Sequence, residues 1–194
     1  MTSPRRVIAV LLLLPPLACA AQAQTRDELL RALAAPGGVG LMRHARAPGI
    51  GDPPGVRPDD CATQRNLSAQ GRDQARRIGT ALRAAGLRAA ELRSSTWCRA
   101  RETAELLGLG PVDPLPALDS FFAERGQKER QTAELRAYLQ AGRDRPTRVL
   151  VTHQINITAL TGVVPAEGEM VVLRPGPDGH AVMGRLRLDQ TDDP

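Results

Sequence analysis

Apolar positions along the chain follow two rhythms, and each rhythm predicts a kind of element. Leu29, Leu30 and Leu33 recur at helical spacing behind Thr25-Arg26-Asp27-Glu28, which reads as a capping box, and Pro36-Gly37-Gly38 ends that helix near residue 35. Ala75, Ile78, Ala81 and Leu82 repeat the spacing behind Ser68, a natural N-cap, and predict a helix with an arginine-rich outer face that runs to Gly86. Further helices are predicted over 96–107, 128–141 and 154–160. Short continuous apolar runs at 39–42 and 148–151 predict buried strands, 90–95 predicts a shorter one, and 169–174 with 180–188 predicts a terminal hairpin. Strands alternating with helices define an α/β domain, a three-layer α/β/α sandwich around a mostly parallel sheet. A glycine- and proline-rich loop over 48–60 is too long to be a simple connection, so it is expected to flank a site. The stretch 118–122, which carries both phenylalanines, is expected to anchor a turn against the core.

Composition narrows the class. The chain has 194 residues, 42% of them apolar, enough for one domain, and it shows no repeat and no linker that would divide it. Aromatic residues make up 2%, so stacking platforms for nucleic-acid bases are missing and a nucleic-acid partner is not expected. Residues 1–23 have the layout of an export signal: Arg5-Arg6, an apolar core from Val7 to Leu14, and Ala21-Gln22-Ala23 as a small-x-small cleavage site. The expected mature domain is 24–194, periplasmic or secreted, without stable membrane insertion. Acylation at Cys19 ranks below simple secretion, because the usual aliphatic residue ahead of the cysteine is missing. Cleavage would remove two arginines and no acids, lowering the formal charge from +5 to +3, a modest excess that suits an anionic substrate. Cys61 and Cys98 would remain, and in an oxidising compartment they are expected to pair. Neither has another cysteine or histidine at ligand spacing, so neither a metal nor a cofactor is expected.

Chemistry concentrates where apolar runs stop. The first strand ends in Arg43-His44, the third in Thr152-His153, and Arg99 opens the helix after the second. Ligands of open α/β sheets bind beyond the carboxyl ends of strands, so these residues are placed for a substrate. His180 sits near the terminal turn and Arg46 in a loop, and both are expected to be solvated.

Met42-Arg43-His44-Ala45, Asn66-Leu67-Ser68-Ala69-Gln70-Gly71, Ser94-Ser95-Thr96-Trp97-Cys98-Arg99-Ala100-Arg101-Glu102-Thr103-Ala104 and Val151-Thr152-His153-Gln154 stand in the order of four motifs of one family. With them the mature chain resembles the histidine phosphatase superfamily, also called phosphoglycerate mutase-like. The resemblance implies the phosphoglycerate mutase-like fold, with His44 as a nucleophile that takes a phosphoryl group and Arg43, Arg99 and His153 around the phosphate. It implies a carboxylic acid that protonates the leaving oxygen, for which Asp119 is the first candidate and Glu124 and Glu169 the others. Ala45 replaces the family's glycine after the first histidine, and Thr152 and Gln154 replace those around the second. The expected activity is metal-independent hydrolysis of a small phosphate monoester. A phosphatase for phosphoproteins or envelope phosphosugars, and a catalytically inactive binding module of the same fold, are the alternatives. The oligomeric state is left open.

Overall fold

The computed structural model describes residues 24–142, 145–176 and 179–189. The expected leader over 1–23, with Cys19, lies outside them. The capping box at Thr25 forms as expected: its hydroxyl accepts from the Glu28 amide while the Glu28 carboxylate accepts from the Thr25 amide, and helix α1 runs Arg26–Ala34. Strand β1 (Val39–Arg43) follows, then α2 (Ala69–Ala84), β2 (Glu91–Ser94), α3 (Cys98–Leu107) and β3 (Val112–Pro114). The remaining elements are α4 (Lys128–Ala141), β4 (Arg148–Thr152), α5 (Gln154–Thr161), β5 (Met170–Gly176) and β6 (Gly179–Leu186).

One sheet forms in the order β3-β2-β4-β1-β5-β6. Strands β3, β2, β4 and β1 are parallel, and the terminal hairpin adds β5 and β6 antiparallel, which makes the sheet mixed. Alternation along the central strands divides the core into two layers. Met42, Val149 and Val151 pack against Leu33, Ile78, Leu82 and Leu107 on the α1, α2 and α3 side. Leu41, Leu150 and Val171 pack against Leu135, Leu139, Ile157 and Leu160 of α4 and α5 on the other. That is the three-layer sandwich the periodicities predict.

Helices α2 and α3 approach closely because Gly79 carries no side chain: a Cβ there would lie 2.1 Å from the Leu107 carbonyl oxygen. Gly79→Ala is therefore expected to force α2 and α3 apart and cost about 1–3 kcal/mol, read as a lower midpoint in urea unfolding. An unchanged midpoint would show that the helices can separate freely.

Cys61 and Cys98 are bonded, their Cα atoms 5.7 Å apart across 37 residues. In the chain-entropy model that closure stabilises by about 3–4 kcal/mol. It also ties the 48–64 loop to the first turn of α3, and the Cys98 amide donates to Gln64 Oε1 at 2.9 Å beside it.

Candidate active site

Parallel register brings the chemistry together. Arg43 pairs with Thr152 at the ends of β1 and β4, and the His44 amide donates to the Thr152 carbonyl at 2.9 Å. His44 and His153 therefore leave adjacent strands at the same height, their ring centroids 5.4 Å apart. Arg99 reaches the same place from the first turn of α3 rather than from a strand end. The three meet at the floor of a cavity of about 350 Å³, with Arg43 and Arg65 also in its wall.

His44 is 2% exposed, and its Nδ1 lies 2.8 Å from the Ala45 carbonyl oxygen. A carbonyl only accepts, so Nδ1 carries the proton and Nε2 keeps its lone pair. Burial, outweighing that hydrogen bond, together with the positive field of Arg99, Arg65 and Arg43, pushes the ring's pKa down from 6.5 to about 3. At neutral pH the ring is uncharged.

His153 Nε2 lies 2.9 Å from Ser95 Oγ, and its Nδ1 lies 3.4 Å from an Arg99 nitrogen. Arginine can only donate, so Nδ1 accepts and Nε2–H donates to Ser95. Ser95 in turn donates to Asp119 Oδ1 at 2.9 Å. Burial first, and then the charge of Arg99, hold the His153 pKa well below 6.5.

Arg99 is 2% exposed and directs both terminal nitrogens at Asp52, at 2.7 and 3.1 Å. Its Cζ stands 5.1 Å over the Trp97 ring, and its Nε is buried with no hydrogen-bond partner among the described residues. Arg43 donates to Gln154 Oε1 at 3.2 Å and to the Pro165 carbonyl at 3.1 Å, and Glu167 lies 3.8 Å away. Arg65 is fixed by donating from Nε to the Gly51 carbonyl at 2.8 Å and from a terminal nitrogen to the Ala47 carbonyl. Its backbone amide also donates to Asp52 Oδ1, at 3.0 Å.

Two residues of this group escaped sequence reasoning. Asp52 and Arg65 lie in irregular chain, and no periodicity marks them. The disulfide at Cys61 and the odd length of the loop were the available signals, and the loop does flank the cavity through Gly49, Ile50, Gly51 and Asp52.

The expected acids are placed otherwise. Asp119 lies off the cavity wall: besides Ser95, it accepts from the Thr96 amide at 2.7 Å and the Thr96 hydroxyl at 2.9 Å, so it braces the loop after β2 and, through Ser95, the His153 ring. Glu124 accepts from Gln127 at the surface and faces a separate hollow. Glu169 is locked to Arg185 by two contacts of 2.7 Å. Among the described residues that line the cavity, Asp52 is the only carboxylate. Arg46 is exposed as expected. His180 lies in β6 and is half-buried rather than solvated, because the hairpin packs on α4.

The described residues hold no group of three His, Cys, Asp or Glu side chains able to bind a metal ion. The floor is instead a set of guanidinium donors around a neutral imidazole, an arrangement that can bind an oxyanion of phosphate size and attack it.

Solved structures share this fold. The protein histidine phosphatase SixA complexed with tungstate superposes with a TM-score of 0.55 at 20% identity, over 77% of this chain and 96% of that one. A phosphoserine phosphatase of Entamoeba histolytica bound to phosphoserine gives 0.58 at 12% identity, over 79% and 98%. The product of open reading frame Rv3214 of Mycobacterium tuberculosis gives 0.59 at 15%, over 79% and 98%. No curated protein matches the chain. Residues 40–149 match the histidine phosphatase superfamily (branch 1), a span that holds Arg43, His44 and Arg99 and more than half of the chain, and the chain belongs to that family.

Proposed function

We propose that the protein is a phosphomonoesterase in which His44 Nε2 attacks phosphorus to form a phosphohistidine that water then hydrolyses, with no metal taking part. The observation that carries this reading is the cavity floor, where a neutral imidazole of fixed tautomer sits among Arg43, Arg65, Arg99 and His153. Phosphoryl transfer asks a protein mainly for alignment and for positive charge at the equatorial oxygens, and the arginine forks supply both. The names of the similar structures, a protein histidine phosphatase and a phosphoserine phosphatase, agree with the chemistry.

Export to an oxidising compartment is part of the proposal. The leader-like residues 1–23 and the Cys61–Cys98 bond support it. Hydrolysis is favoured over mutase action, because an exported enzyme would not meet a cytosolic bisphosphate cofactor.

Turnover of a generic aryl phosphate in the presence of a chelator tests the reading. Activity that persists is the expected result. Tight phosphate binding without turnover would mark an inactive binding module instead.

The depressed pKa has its own readout. In an NMR titration of the ligand-free enzyme, the His44 ring is expected to show no inflection between pH 5 and 8, since its midpoint lies near 3. The sign follows for stability. Below about 6.5 the unfolded chain binds protons that the folded His44 and His153 refuse, so stability falls with pH from about 6.5 down toward 3. A His44 midpoint near 6.5 would contradict the burial argument.

A further inference from the structure

The cavity changes character from floor to mouth. Above the cationic floor its wall is formed by Ile50, Phe122 and Ile155, with Arg125 standing 5.2 Å over the Phe122 ring. Ile50 is 93% exposed and Phe122 45%, so two large apolar side chains are held in solvent where an incoming molecule would first meet them. Phe122 is not an anchor of the core, a role that Phe121 fills at 2% exposure. Gly51 faces the Phe122 ring, which a Cβ on that glycine would meet at an ordinary contact distance of 3.7 Å. An exposed apolar rim at the mouth of a charged site fits a substrate whose phosphate carries an apolar body directly behind it.

A second, independent observation narrows that body. Among the described residues no lining carboxyl is free to protonate a leaving oxygen, because Asp52 has one oxygen on Arg99 and the Arg65 amide and the other on Arg99. The lining hydroxyl of Thr158 donates to the Val163 carbonyl at 3.0 Å, and a serine such as Ser120 is a weak acid. A site without a strong acid works best on a leaving group that departs as an anion. A phenol loses its proton near pH 10, about the tyrosine value, whereas an alkoxide is about as basic as hydroxide and departs far less readily.

We propose that the site is built for phosphomonoesters of phenols, with Ile50 and Phe122 as the residues that select the aromatic leaving group. The inference rests on His44 being the nucleophile. In the first step the bond from His44 Nε2 to phosphorus forms as the P–O(aryl) bond breaks, and its electron pair leaves with the phenolate, which takes a proton from solvent. Water then attacks phosphorus, the P–N bond breaks, the imidazole recovers its lone pair, and the proton released from water passes to solvent.

The test compares phenyl, cyclohexyl and glycerol phosphates in the full mature protein, with inorganic phosphate as a competitive inhibitor. Phenyl phosphate is expected to exceed cyclohexyl phosphate in kcat/KM by about 100-fold or more, since the two differ in leaving-group basicity far more than in size. Ile50→Ser and Phe122→Ser, both at exposed positions, are each expected to raise KM for phenyl phosphate about 10-fold. The inhibition constant of phosphate should move by less than about twofold, because phosphate needs only the floor. O-phosphotyrosine and a phosphotyrosyl peptide, run in parallel, separate a small phenol from a protein side chain as the source of the aryl group. Equal kcat/KM for phenyl and glycerol phosphates, or a phosphate constant that follows the aryl KM in the variants, would overturn the aryl assignment alone. Phosphate binding with no ester hydrolysed would overturn the phosphohistidine reading and the assignment with it.

Discussion

His44→Ala is expected to lower kcat for any phosphate ester by about 10⁴-fold or more, while the protein still binds inorganic phosphate. Removing a nucleophile deletes the covalent route outright, and known cases of such loss reach about 10⁶-fold. Binding survives because the donors that would hold the equatorial oxygens come from elsewhere: Arg43 from the end of β1, Arg99 from α3, Arg65 from the disulfide-tied loop. A direct binding measurement beside a rate assay checks both halves. Residual turnover within about tenfold of the native rate would assign the nucleophile to another group.

The second large effect is expected at Asp52. Asp52→Ala leaves the Arg99 guanidinium, 2% exposed in the native protein, with the Arg65 carbonyl and His153 Nδ1, each at 3.4 Å, as the remaining partners of its terminal nitrogens among the described residues. Breaking a buried pair from one side typically costs about 3–5 kcal/mol, since a desolvated charge stays behind. Unfolding by denaturant reads the loss. Phosphate provides the distinguishing arm, because an anion at the floor replaces the missing partner. The variant's melting temperature should therefore rise more with added phosphate than that of the native protein. A change in stability below about 1 kcal/mol would show that Arg99 finds water or other acceptors without Asp52.

How much of this was legible in the chain follows from where each residue lies. Arg43, His44 and His153 close apolar runs, so their place at the carboxyl edge of a sheet could be read from pattern alone. The Thr25 box, the Ser68 cap and the face of α2 were legible for the same reason, since local chemistry decides them. The partner arrangement around Arg99 was not. Asp52 lies far from Arg99 in sequence and reaches it through a path set by the Cys61–Cys98 bond and the Arg65 contacts, which no local rhythm encodes. Asp119 shows the converse. A carboxyl in the expected segment was legible, but not that Ser95 and Thr96 take up both of its oxygens, contacts that depend on how the turn at 118–122 meets the end of β2. The phenylalanine pair was half legible: hydrophobicity placed both in the core, but only Phe121 is there, and Phe122 turns to the cavity mouth.

The charge pattern of the site has a physical consequence of its own. Three buried or half-buried arginines and two neutral histidines make a strongly positive, poorly hydrated floor, and burial lowers the pKa of Arg43 and Arg99 without removing their charge in any ordinary pH range. Asp52 and Glu167 offset part of that charge in the ligand-free protein. An incoming phosphate therefore meets a floor whose positive charge is only partly offset, and its two charges and several acceptor oxygens favour binding there.

Phosphoryl transfer to one particular ring nitrogen is the claim on which the rest depends. The most direct measurement is to quench the enzyme in alkali during turnover, digest it, and locate the phosphoryl group by mass spectrometry. The account requires an acid-labile, alkali-stable group on the peptide carrying His44, absent in His44→Ala; phosphate found on His153, on a serine, or on no residue while ester is being hydrolysed would contradict it.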